Sequence, residues 1–159
     1  MAAFFLLAGC GYKPATTYTK KVLSGKIYTD IKIYLRDPEN AVLVKDALNE
    51  AIVSRFGARV ASKKEATTIL HVRFGRVSFH PIQYDKNGYA IYYRAVVTLD
   101  IDYTTPTAKG HKKVSGFYDF PIEPEAIISD SLRFQAIKNG SAKALDAFIS
   151  YITQKGAAL

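Results

Sequence analysis

The chain has 159 residues, 48% of them hydrophobic, with 22 Lys plus Arg against 14 Asp plus Glu, one Cys, one Met and no Trp. This is the length of one domain with apolar content enough for a core, and it excludes a disordered or low-complexity chain, an internal disulfide and a cysteine-only metal cluster. No apolar run reaches the roughly 18 residues of a membrane-crossing helix, and the net charge of +8 points to an anionic partner.

The first seven residues are small or apolar, and Leu7-Ala8-Gly9-Cys10 resembles a bacterial lipobox. In such a motif the Cys10 thiol takes a diacylglycerol group, the chain is cut before it, and the new amine is acylated. The alternative is a buried first strand with an incidental cysteine. A secretory signal opens with basic residues, yet no Lys or Arg precedes Cys10; the expectation is a true start further upstream. On this reading residues 1–9 are the remnant of a signal peptide. Residues 10–25 are the lipidated cysteine and a polar tether, and residues 26–155 are the folded domain. Several acyl chains would hold the protein firmly, whereas one alone is marginal.

From Lys26 to Leu35, Ile27, Ile31, Ile33 and Leu35 share one parity and Tyr28, Asp30, Lys32 and Tyr34 the other, which predicts a half-buried strand. Asp37 is a suitable helix N-cap with Pro38 at the first helical position. The stripe Val44, Ala47, Leu48, Ala51, Ile52 and Phe56 predicts a helix that Gly57 ends. A short strand near Arg59 to Ala61 follows. In the strand Thr67 to Phe79 the apolar parity switches at Gly75-Arg76, which predicts a bulge. Asp85-Lys86-Asn87-Gly88 is a hairpin turn, and Tyr89 to Tyr103 returns with its apolar residues at odd positions. About that tip, Arg94 is expected near position 81 and Arg76 near Leu99. A turn over Thr104 to Gly110 leads to a strand over Lys112 to Phe120. A short helix over Glu125 to Arg133 precedes a last helix from Phe134 to about Ile152, which Asn139-Gly140 would bend or break. The expected fold is α+β, with two helices on one face of a mostly antiparallel four-stranded sheet. The other face is open and carries Tyr28, Tyr34, Tyr92 and Arg94.

Nothing here assembles an enzyme's nucleophile, acid and base. His71, His80 and His111 have no ligand spacing and read as ordinary strand and turn histidines. Asp100 and Asp102 share a strand face, where a cation or carboxylate-pair role is conceivable but solvated aspartates are the plainer reading. No phosphate-binding glycine loop occurs, and neither cofactor nor metal is expected. The basic residues are more suggestive: Arg73 and Arg76 on one strand, Arg94 on its hairpin partner, Lys112 and Lys113 on the next strand. A basic, tyrosine-rich sheet face suits a phosphorylated amphiphile, or single-stranded nucleic acid, or is a generic solvated surface. The lipobox argues against nucleic acid.

Taken in order, these pieces resemble the LPS-assembly lipoprotein LptE family, also called rare lipoprotein B. The resemblance rests on Cys10-Gly11-Tyr12, on Ile31-Lys32-Ile33-Tyr34-Leu35-Arg36-Asp37 followed by the helix, on the hairpin Gln83 to Arg94, on Ser115-Gly116-Phe117-Tyr118 and on the final helix. The segment Leu35-Arg36-Asp37-Pro38-Glu39 departs from the family's usual Phe-x-Asn-x-Thr. The resemblance implies a non-enzymatic outer-membrane lipoprotein, lipid-anchored through Cys10 on the periplasmic side. Such a protein plugs and stabilises the LptD barrel translocon and assists lipopolysaccharide assembly. Arg94 is the motif match to the family's lipopolysaccharide-contacting cations, and charge adds Arg73, Arg76, Lys112 and Lys113. The alternative is a periplasm-facing lipoprotein of similar fold acting as a lipid carrier or envelope-assembly factor.

Overall fold

The computed structural model describes Leu23, residues 25–32, residues 42, 45–46, 48–50 and 52–54, and residues 59–124 and 126–157. The strands are β1 (Lys26–Lys32), β2 (Arg59–Val60), β3 (Thr68–Tyr84), β4 (Ala90–Thr104) and β5 (Lys109–Pro121). The described residues between 42 and 54 are helical and are called α1. The long helix α2 spans Asp130–Ala157. Cys10, Tyr34 and the caps at Asp37-Pro38 and Gly57 lie outside the described residues.

The five strands form one sheet in the order β2-β1-β3-β4-β5. β1 runs parallel to both β2 and β3, while β3, β4 and β5 are antiparallel to one another. The sheet is therefore mixed and five-stranded, a correction to the expected four-stranded, mostly antiparallel one. Alternation in β1 and β2 reveals faces but not partner direction. Parallel neighbours need a long crossover, and the stretch from Lys32 to Arg59 that carries α1 supplies it.

Both helices cover one face. Leu48 and Ile52 of α1 are buried with Ile27 and Ile31 of β1, and Thr29 Oγ1 donates to Asn49 Oδ1 at 2.9 Å. From α2, Ile137, Ala144, Leu145, Phe148 and Ile152 enter the same core. β4 supplies Ala95, Val97, Leu99, Ile101 and Tyr103 from its odd positions, all buried, as period two requires. In β3 the buried positions are Thr68, Leu70, Val72 and Phe74, and then Val77 and Phe79 turn inward after the expected bulge. At the hairpin tip, Gly88 takes the left-handed conformation (φ +87°) that favours glycine. The Asp85 carboxylate accepts the N–H groups of Asn87 and Tyr89.

Two expectations after β5 fail for local reasons. Residues 126–129 are not helical; Ser129 Oγ accepts the Leu132 N–H at 3.3 Å, and α2 begins at Asp130, as an N-cap serine dictates. Asn139-Gly140 does not interrupt α2. A Cβ on Gly140 would stand 2.8 Å from Val97 Cγ2, so glycine serves close packing there rather than a bend.

Candidate functional site

The face of the sheet away from the helices is built from rows of facing residues. Asp30, His71, Asp102 and His111 align across β1, β3, β4 and β5; Lys32, Arg73, Asp100 and Lys113 form the next row. Across β3, β4 and β5 basic and acidic side chains therefore meet, while Lys32 and Arg73 face each other as like charges. His71 Nδ1 lies 3.2 Å from Asp30 Oδ2, and Arg73 Nη1 donates diagonally to Asp102 Oδ2 at 2.6 Å. His111 Nδ1 lies 2.7 Å from Asp102 Oδ1, and Lys113 Nζ lies 3.9 Å from Asp100 Oδ1. A shallow cleft of about 580 Å³ runs between His71, Asp102, Thr104, Lys109, Gly110 and His111.

Nearer the hairpin tip, Arg94 makes a two-pronged bond to Asp119. Its Nε and Nη2 each donate at 2.7 Å, and its guanidinium lies 4.5 Å from the centroid of Phe117. Phe117 is itself 57% exposed. The planar cation is thus locked between a carboxylate and a ring, with one face still wet. The pairing is with His80 on β3 and Asp119 on β5, one residue from the expected position 81. The turn expected over Thr104 to Gly110 would set Phe120 opposite Arg94; the turn the structure forms over residues 105–108 shifts the register by one and brings Asp119 there.

These bonds shift protonation. The His111 hydrogen bond, helped by Arg73, holds the Asp102 carboxyl below its ordinary range, although burial pushes the other way. Arg94 does the same for Asp119, and is itself raised by that bond. A carboxylate whose folded pKa is depressed stabilises the fold above its unfolded pKa, about 3.9, and loses that contribution as pH falls through the folded value. Urea unfolding should accordingly show wild type losing stability below about pH 4, with Asp119→Asn less stable at neutral pH and flatter in acid. Parallel curves for the two proteins would refute this role for Asp119.

Of the expected anion-binding residues, Arg73, Arg94 and Lys113 share the open face. Arg76 sits exposed in the bulge between Phe74 and Val77, rather than opposite Leu99, which pairs with Phe74. Lys112 faces Ile101 on the helix side, with its ammonium 4.7 Å over the Tyr151 ring. Lys155 lies 5.4 Å over the same ring. Burial pushes the Tyr151 phenol up, but Tyr103, Lys155 and Lys112 outweigh it and lower it. Among the described residues no group of three or more His, Cys, Asp or Glu is arranged to hold a metal ion. Asp100 and Asp102 are instead engaged by Arg73, His111 and Lys113.

The family model described as LptE, Lipopolysaccharide-assembly, matches residues 28–152. The chain belongs to this family. Membership makes it a lipopolysaccharide-assembly lipoprotein of the outer membrane, lipid-anchored, with a role in assembly rather than catalysis. Among solved structures it is similar to the rare lipoprotein B from Shewanella oneidensis, at 10% identity and a TM-score of 0.50, covering 80% of this chain and 97% of that one. It is equally similar to lipoprotein B from Nitrosomonas europaea, at 13% identity and a TM-score of 0.50, covering 86% of each chain. At these identities the two likenesses speak for the fold. No curated protein sequence matches the chain.

Proposed function

We propose that the protein is anchored through lipid on Cys10, seats itself in an LptD-like outer-membrane barrel, and assists lipopolysaccharide on its way to the cell surface. The observation that carries this reading is the family match over residues 28–152. The open face supports it. Arg94 is fixed by Asp119 and flanked by exposed Phe117, a pairing of cation and ring suited to a phosphorylated amphiphile. Arg73 and Lys113 would add charge on the same face, and Arg76 at its bulge. Lys112 would meet an anion only at the other side of the sheet. At the hairpin tip Ile82, Tyr84 and Tyr89 are exposed, as is Ile127 in the loop before α2. A wall of barrel strands would cover such apolar groups.

Co-purification from detergent extracts tests the partner: an intact barrel protein should accompany the full chain. A barrel-free chain whose depletion leaves surface lipopolysaccharide unchanged would sink the proposal. Cys10→Ser should abolish lipid labelling and release the protein from the outer-membrane fraction. Retention of both by the variant would remove Cys10 as the anchor.

A further inference from the structure

The tether precedes Lys26, the first residue of β1, and this fixes one end of the domain as the tether side. The same end holds the start of β2, the turn over residues 61–67 that enters β3, the β4–β5 turn and the C-terminal turn of α2. Its charges are predominantly basic. Arg59, Lys63, Lys64 and Lys109 are exposed, and Lys155 in the last turn of α2 lies over Tyr151. Among the described residues the carboxylate at this end, Glu65, is already bonded to Lys26 at 3.4 Å. Asp100 and Asp102 lie further along β4 and are engaged by Arg73, His111 and Lys113. The opposite end is different, with Asp85, Glu123 and Asp130 beside Lys86 and Arg133 and with the exposed apolar residues of the hairpin tip. Charge is thus sorted along the strand axis.

We propose that the tether-side end is a docking surface for the anionic phospholipid headgroups of the leaflet that holds the acyl anchor. The proposal rests on lipidation at Cys10. Chain length supports it. β3 has 17 residues, so at about 3.3 Å per residue the hairpin tip stands roughly 50 Å from the tether side. Residues 10–25 could reach roughly 50–55 Å only when fully extended. A lipid on Cys10 therefore keeps the basic end near the bilayer, and the tip could reach it only by inverting the domain at full stretch. The contact is electrostatic. The β4–β5 turn presents Pro106 and Thr107, and the turn into β3 presents Ser62, Lys63 and Lys64; among the described residues of this end, Val60 on the rim strand β2 is the exposed large apolar side chain, too little to anchor the domain by insertion. Each lysine near an anionic bilayer strengthens binding about fivefold, and salt screens the effect.

The test uses the full chain with Cys10→Ser, so that acyl chains do not mask the surface, and vesicles of phosphatidylcholine with or without phosphatidylglycerol. The triple variant Lys63→Glu, Lys64→Glu and Lys109→Glu is compared with a reference of equal charge change, Lys86→Glu, Lys138→Glu and Lys143→Glu. The expected result is salt-sensitive binding to phosphatidylglycerol vesicles that the first triple variant weakens at least about a hundredfold and the reference by only a few-fold. Equal losses in both variants, or equal binding to neutral vesicles, would overturn the proposal. A third set of vesicles carries lipopolysaccharide in place of phosphatidylglycerol. Loss confined to that set would also overturn it, by assigning the surface to lipopolysaccharide. Lipid labelling of the wild-type chain is read separately, so an absent anchor is distinguishable from an absent surface.

Discussion

Gly116→Val should leave the protein at least about 3 kcal/mol less stable, at the upper end of what overpacking costs, and lower its melting temperature by roughly 10 °C or more. Gly116 lies buried in the middle of β5, and a Cβ there would run into the α2 backbone at Gly140 O, Lys143 C and Ala144 N. Backbone on a packed helix cannot swing aside as a side chain does. The helix would have to lift from the sheet, opening the core around Val97, Val114 and Ala144. Gly88→Ala is the instructive comparison. Its φ is +87° with nothing within 4 Å, so the cost is backbone strain alone, about 1 kcal/mol. Thermal melts of both variants check the argument. A Gly116→Val protein melting within a few degrees of wild type would mean that the helix sits further from β5 than described.

Phe148→Ala should cost about 3–5 kcal/mol, the usual range for removing a buried aromatic ring. Phe148 is fully buried in α2, 5.9 Å from the Tyr103 ring and 6.4 Å from Tyr151. The Tyr103 hydroxyl makes no hydrogen bond of good geometry among the described residues, and burial, helped by the neighbouring Tyr151, pushes its pKa up. Phe148 is thus the apolar support that holds a buried phenol in place. Chemical denaturation should show the loss, and the tyrosine absorbance titration should lose part of its high-pH tail as Tyr103 becomes accessible and its raised pKa falls back toward the ordinary range. A loss below about 1 kcal/mol would show that the site collapses without a cavity.

Much of this was legible in the sequence. The odd-position alternation of β4, the bulge at Gly75-Arg76 and the Asp85–Gly88 turn follow from local rules, and each appears where those rules place it. Partner direction was not legible. Ile27 and Ile31 declare a buried face but cannot say that β1 lies parallel between β2 and β3. Gly140 read as a helix breaker because its reason, Val97 and Gly116 across the interface, is remote in sequence. The basic residues were the hardest. Lys112 and Lys113 are consecutive on a strand and so point to opposite faces, which a tally of charge ignores. Arg73 and Arg94 look like free cations until the register sets Asp102 and Asp119 beside them.

The position of β1 also has a mechanical meaning. Any pull on the segment before Lys26 is delivered along the axis of β1. β1 is not at the rim of the sheet; it is held on both sides, by six registered pairs with β3 and two with β2. Such a load stretches these ladders together, in shear, instead of peeling them one bond at a time as it would in a hairpin pulled open from its end. Resistance to forced unfolding is set by the barrier to leaving the native state rather than by its equilibrium stability. A domain tied at this point can bear drag against its anchor while its overall stability stays modest.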